Sequence, residues 1–293
     1  MKIIDGKIPF LEFETYYRIV NPNGKNTPLL MLHGGPGSTH NYLEVLDCIA
    51  EITDRPLVMY DQIGCGNSMV TGRPDLFTAE TWMNELENLR KKLDLSTIHL
   101  FGQSWGGMLA IWYAIERKPK GIKSYILSST LSDAKLWKKE QYRRISYMPK
   151  KMQDDIRYAI ENNDYKHKGY LEALDYFMEL YCDGKYGDND PECLTRPKNR
   201  GSESYIVGWG HNEFSPSGTL KDYNFTDRLC EIKQPTLITS GQMDLSSPYI
   251  AKTMYDNLPN AKWELFAYSR HVPYIQENEK YVKVLSNWLV NND

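Results

Sequence analysis

From Pro28 onward the chain alternates short apolar runs with segments whose apolar residues recur at helical spacing. PLLMLHG (28–34), PLVMYDQ (56–62), TIHLFGQ (97–103) and IKSYILSS (122–129) are strand-length and nearly continuous in apolar character. Between them, HNYLEVLDCIAEI (40–52), TAETWMNELENLRKKL (78–93) and GGMLAIWYAIERK (106–118) have helical periodicity. Thr78 stands where an N-cap is needed, with acids in the turn that follows. Strands with little alternation, interleaved with helices, imply a parallel sheet covered on both faces.

The rhythm breaks near Thr130. From there to about Phe225 the chain is rich in Lys, Tyr, Asp and Met, with helical stretches at KLWKKEQYRRISYM (135–148) and YLEALDYFMELY (170–181). It resumes with QPTLITSGQMD (234–244), PYIAKTMYDNL (248–258), KWELFAYS (262–269) and EKYVKVLSNWLV (279–290). This predicts one α/β core from residues 1–129 and 226–293, with 130–225 inserted as a mainly helical cap over the strand ends. The acidic stretch CDGKYGDNDPEC (182–193) misses the calcium-loop spacing and reads as a solvated surface loop.

Composition narrows the class. At 293 residues, 41% hydrophobic and 25% charged, the chain is an ordinary folded protein. A net charge of −3 with no basic run excludes a nucleic-acid footprint. No apolar window reaches the roughly 18 residues of a membrane span, and the first residues do not read as a signal peptide. Five scattered cysteines, none in C-x-x-C spacing, argue against a disulfide framework or a zinc site. A cytoplasmic enzyme without metal or organic cofactor is the expectation.

The chemistry centres on GQSWG (102–106), a G-x-S-x-G pattern with a strand before it and a helix after it. A serine on so tight a turn needs glycines at its flanks, because side chains there would strike the neighbouring strand and helix. Ser104 needs a base, and the base needs a carboxylate to orient it. Of six histidines, His99 lies within a strand and reads as core. His40 and His167 precede or sit on helices, and His211 is in the insertion. His271 follows the last strand and Asp244 the one before it. The order Ser104, Asp244, His271 is that of α/β-hydrolases. LHGGPGS (32–38) fits an oxyanion loop better than a phosphate loop, since the lysine of the latter is missing.

With HGGPGS at 33–38, YDQIGCGNS at 60–68 and GQSWGG at 102–107 in that order, the chain resembles the proline iminopeptidases, most closely those of lactobacillus type. The resemblance spans nearly the whole chain and implies release of N-terminal proline from short peptides by a serine mechanism. It further implies that Ser104, Asp244 and His271 form the triad, and that the backbone N–H groups of Gly35 and Trp105 form the oxyanion hole. Glu213 matches the cap carboxylate that holds the substrate's amino group, a role that requires an acceptor-only anion beside a desolvated cation.

One position departs from the pattern: Leu245 stands where some members carry a second glutamate. Glu203 is the candidate to replace it. Trp105, Trp137, Tyr205, Trp209 and Phe214 are candidates either for an apolar pocket around a pyrrolidine ring or for packing within the cap. The same motifs also admit an esterase, a lactonase or a Pro-X dipeptidase on this fold. A non-catalytic binding protein on the same fold is the remaining alternative.

Overall fold

A computed structural model describes residues 1–293. Eight strands form one sheet, and the two at its edge form an antiparallel hairpin that the apolar pattern did not mark. β1 (Ile3–Phe10) and β2 (Phe13–Val20) pair from Ile3↔Val20 to Phe10↔Phe13. They are only partly buried, so their apolar signal is diluted by polar residues facing solvent.

The interior strands are β3 (Leu29–Leu32), β4 (Leu57–Tyr60) and β5 (Ile98–Gln103), each buried along its whole length. Beyond them lie β6 (Ile122–Ser128), β7 (Thr236–Gly241) and β8 (Ala261–Phe266). The spatial order is β1-β2-β4-β3-β5-β6-β7-β8, and every pairing from β4 onward is parallel. Consecutive residues of one strand enter opposite cores. Leu30 and Leu32 pack with Trp82, Leu86 and Leu109, whereas Leu29 and Met31 pack with Leu46, Ile49 and Leu285. Two covered faces are therefore why the strands read as unbroken apolar runs.

Helices connect the strands. The stretch 40–52 is not one helix: a 3-10 segment, His40–Leu46, precedes α1 (Cys48–Ile52). Side-chain pairs to neighbouring elements fix this stretch, with His40 held by Asp61 and Asp47 by Arg18. α2 (Ala79–Lys92) is capped by Thr78, whose Oγ1 accepts from the Thr81 N–H at 3.2 Å. α3 (Trp105–Glu116) leaves β5 through Ser104.

Between β6 and β7 the chain forms α4 (Ala134–Ile145), α5 (Lys150–Asn162), α6 (Lys168–Tyr181), α7 (Glu192–Thr195) and α8 (Ser202–Gly208). α5 has only Ile156 and Ala159 fully buried, which is why its sequence does not stand out as a core helix. α9 (Pro248–Asn257), α10 (Pro273–Gln276) and α11 (Asn278–Asn291) complete the chain. No helix is long and apolar enough to cross a membrane.

Candidate active site

Ser104 sits between β5 and α3 at φ 53° and ψ −120°, a backbone conformation that costs a non-glycine residue roughly 1–3 kcal/mol. The strain is tolerated because the flanks are over-determined. A Cβ on Gly102 would strike the Gly106 carbonyl, and one on Gly106 would strike the Leu32 carbonyl. The Ser104 N–H donates to Ser128 O at 2.9 Å, and Thr130 Oγ1 donates to Ser104 O at 2.6 Å. The turn is thus pinned from β6 as well as from β3.

Asp244 and His271 leave the C-terminal ends of β7 and β8. His271 Nδ1 lies 2.7 Å from Asp244 Oδ1, with both side chains almost fully buried. Asp244 also accepts from the N–H groups of Ser246 (2.8 Å) and Gly241 (3.1 Å), which fix the carboxylate. A carboxylate only accepts, so His271 Nδ1 carries the proton of this bond, and Nε2 makes no hydrogen bond within the chain. The His271 N–H donates to Cys182 O at 3.1 Å, tying this loop to the end of α6. Ser104 Oγ makes no hydrogen bond to His271 here; the two line one cavity of about 570 Å³.

That cavity is also lined by Gly35, Tyr42, Asp183, Tyr186, Lys198, Arg200, Tyr205, Glu213 and Leu245. The Gly34 N–H is consumed by Tyr42 Oη at 2.6 Å, and Tyr42 in turn donates to Gln103 Oε1 at 2.8 Å. The N–H groups of Gly35 and Trp105 have no hydrogen-bond partner in the chain. Trp105 opens α3, so its free donor is one of the first-turn N–H groups a helix leaves unsatisfied.

The two donors' segments are joined by Gln62. Its Nε2 donates to His33 O at 3.1 Å, on the glycine loop, and its Oε1 accepts from Trp105 Nε1 at 2.8 Å. His33 is neutral: Nδ1 donates to Gly34 O at 2.8 Å and Nε2 accepts from the Gln62 N–H at 3.0 Å. Burial lowers its pKa to about 4. Gln62 and His33 were not singled out from the sequence, although both fall inside the motifs that carried the resemblance.

Glu213 opens onto the cavity from the loop after α8. Its Oε2 accepts from Tyr205 Oη at 2.6 Å, and Oε1 has no partner. Burial lifts its pKa above the usual carboxylate range, against the Tyr205 hydrogen bond and the proximity of His271. The Glu213 carbonyl accepts from two indoles, Trp137 Nε1 at 3.0 Å and Trp209 Nε1 at 3.4 Å. These rings meet edge to face with centroids 5.5 Å apart, a contact worth about 1 kcal/mol beyond its buried area.

The readings left open by the sequence are decided here, and one expectation, that of a wholly solvated acidic loop, is corrected. Trp137, Trp209 and Phe214 are buried and do not line the cavity; the two tryptophans hold the glutamate's backbone instead. The Trp105 ring packs against Trp82 in the core at 4.8 Å. Among the aromatic candidates only Tyr205 reaches the cavity wall, where it is joined by Tyr42, Tyr186 and Tyr274. Glu203 is spent on the surface, accepting from the Gly72 N–H at 2.7 Å. The acidic stretch is not wholly a solvated loop, since Asp183 and Tyr186 line the cavity. Asp183 accepts from Gly184 N–H (2.8 Å), Gln276 Nε2 (3.3 Å) and Tyr186 Oη. Nowhere do three His, Cys, Asp or Glu side chains gather where they could hold a metal ion.

Known proteins bear on this geometry. Residues 27–278 match a family described as alpha/beta hydrolase fold. A protein of Clostridioides difficile (strain 630) named proline iminopeptidase is 66% identical over the full length of both chains. The chain belongs to the proline iminopeptidase family. A Lactobacillus acidophilus relative of the same name is 50% identical, again over all of both chains. The crystal structure of a Mycobacterium smegmatis proline iminopeptidase superposes with a TM-score of 0.86 at 26% identity, covering 99% of this chain and 98% of that one. Family membership accounts for the three motifs occurring together; the cavity geometry shows what each motif residue touches.

Proposed function

We propose that this chain is a serine aminopeptidase that releases N-terminal proline from peptides, using Ser104, His271 and Asp244 as its triad. The observation that carries the reading is that Ser104, His271 and a carboxylate with a free oxygen, Glu213, line one cavity. The full-length likeness to proteins named proline iminopeptidase supports the substrate class.

Glu213 Oε1 accepts from the substrate's protonated amino group, which orients the prolyl residue before reaction. His271 Nε2 removes the Ser104 hydroxyl proton as Oγ attacks the prolyl carbonyl. The developing oxyanion is received by the N–H groups of Gly35 and Trp105; losing one such donor typically costs about 3 kcal/mol of transition-state stabilisation. The imidazolium then gives its proton to the departing amine as the C–N bond breaks. Water, deprotonated by His271, hydrolyses the prolyl ester and restores Ser104 Oγ–H. Residues 130–225 serve as a cap. In support, Tyr205, Glu213, Asp183 and Lys198 all reach the cavity wall from that segment.

Turnover of a prolyl anilide and of a simple acetate ester by wild type and Ser104→Ala tests this. The account predicts that the anilide is cleaved and that Ser104→Ala abolishes cleavage. Ester turnover without anilide cleavage would establish an esterase instead, and inactivity on both a binding protein.

A further inference from the structure

The cavity that holds Ser104 is not uniformly acidic. Lys198 and Arg200 line it too, and neither takes part in any ion pair or side-chain hydrogen bond. Every other arginine of the chain donates at least one side-chain hydrogen bond. The contrast is sharpest within a few residues, where Arg196 is clasped by Glu44 and Glu192. Arg200 has no such counter-charge.

The backbone that carries the two cations is fixed relative to Ser104. Backbone on both sides of Arg200 is pinned to core loops: Gly66 N–H donates to Asn199 O at 2.8 Å, and Gly201 N–H donates to Gly37 O at 2.8 Å. Gly37 belongs to the same glycine loop as Gly35. Lys198 lies over the Tyr42 ring at 5.9 Å, and Tyr42 is the residue that holds Gly34 and Gln103. The cations therefore stand on the oxyanion-loop side of the cavity, whereas Glu213 stands beside Tyr205 in a setting of cap residues.

We propose that Lys198 and Arg200 form a carboxylate subsite that receives the free C-terminal carboxylate of a short peptide, on the leaving-group side of the scissile bond. The proposal rests on the aminopeptidase reading and deepens it by naming the substrate class. A Pro-X dipeptide is a zwitterion whose carboxylate carbon lies two bonds beyond the departing nitrogen, N–Cα–C. An acid at one part of the cavity and two unpaired cations at another match that charge distribution. Burial disfavours the charge on Lys198, as does Arg200 beside it, and Asp183 offsets this only in part, so an anion between the two cations relieves the remaining repulsion. Arg200 supplies a planar fork suited to two carboxylate oxygens, and Lys198 a point charge. No atom transfer is involved; the subsite acts by binding alone.

The test compares kcat/KM for prolylglycine with that for prolylglycinamide, which differ only in the terminal charge, in wild type, Arg200→Gln and Lys198→Met/Arg200→Gln. Wild type is expected to prefer the acid about tenfold to a hundredfold, the range of a charge-assisted hydrogen bond. The preference should shrink stepwise to near unity in the double variant and weaken with added salt. Arg200 is exposed, so its replacement leaves the fold intact. Equal turnover of acid and amide by wild type, or a preference unchanged in the double variant, overturns the subsite alone. Failure of wild type to cleave either compound overturns the aminopeptidase reading and the subsite with it.

Discussion

Trp105 donates its indole N–H to Gln62 Oε1 across 2.8 Å, deep in the core. The ring of the residue after Ser104 therefore faces away from the cavity that Ser104 lines. Its contribution there is its backbone N–H, and Gln62 joins it to the glycine loop that carries the other free donor.

Replacing Gln62 by Leu removes both bonds and leaves the spacing of the two N–H groups unspecified. The expected result is a fall in kcat on prolyl anilide of about tenfold to a hundredfold, with KM within about threefold of wild type. Trp105→Phe loses only the indole bond and should fall less. Steady-state kinetics decide, and a rise in KM at constant kcat would contradict the positioning role.

Asp244 accepts three hydrogen bonds, one of them from His271. Asp244→Asn keeps the shape but offers His271 an amide, which favours the wrong tautomer. The expected loss in kcat is on the order of 10⁴, with a lowered thermal transition, because an amide nitrogen facing His271 no longer accepts from the buried Ser246 N–H. A loss below about tenfold would remove Asp244 from the triad.

Beside the cavity, His40 is buried between Asp61 (2.7 Å) and Glu44 (3.4 Å). Burial opposes its charge, but the two carboxylates outweigh it and raise its pKa from 6.5 to about 9. A folded-state pKa above the unfolded value gives stability that is fully present below pH 6.5 and is lost as pH rises through about 9. The melting temperature of wild type should thus fall more steeply between these limits than that of His40→Gln. Parallel curves would contradict the assignment.

What the sequence disclosed followed from how local each constraint is. The elbow at Ser104 was legible because its glycines, strand and helix are contiguous, and β3 to β5 because burial on both faces leaves few polar residues in them, His99 and Gln103 of β5 among them. The β1–β2 hairpin was missed because an edge hairpin mixes exposed and buried positions. Trp137 and Trp209 were open to two readings because ring direction depends on helix packing; in the fold their N–H groups converge on Glu213 O. Asp183 looked like surface because Gln276, one of its hydrogen-bond partners, lies 93 residues away. Glu203 looked available because nothing nearby in sequence reveals the Gly72 N–H that occupies it.

The central claim is that Glu213 makes a free amino group a condition of attack by Ser104. Its most direct test is the ratio of kcat/KM for prolyl anilide to that for the N-acetylprolyl anilide, measured in wild type and Glu213→Gln. The account predicts a wild-type ratio above about 100, since a buried charge-assisted contact is at stake, and a ratio approaching unity in the variant. The acid limb of the wild-type profile should also extend to higher pH than an ordinary carboxylate would give, because the raised pKa of Glu213 means its charge is lost earlier as pH falls. Equal cleavage of the acetylated and free substrates by wild type, or the same ratio in both proteins, would contradict it.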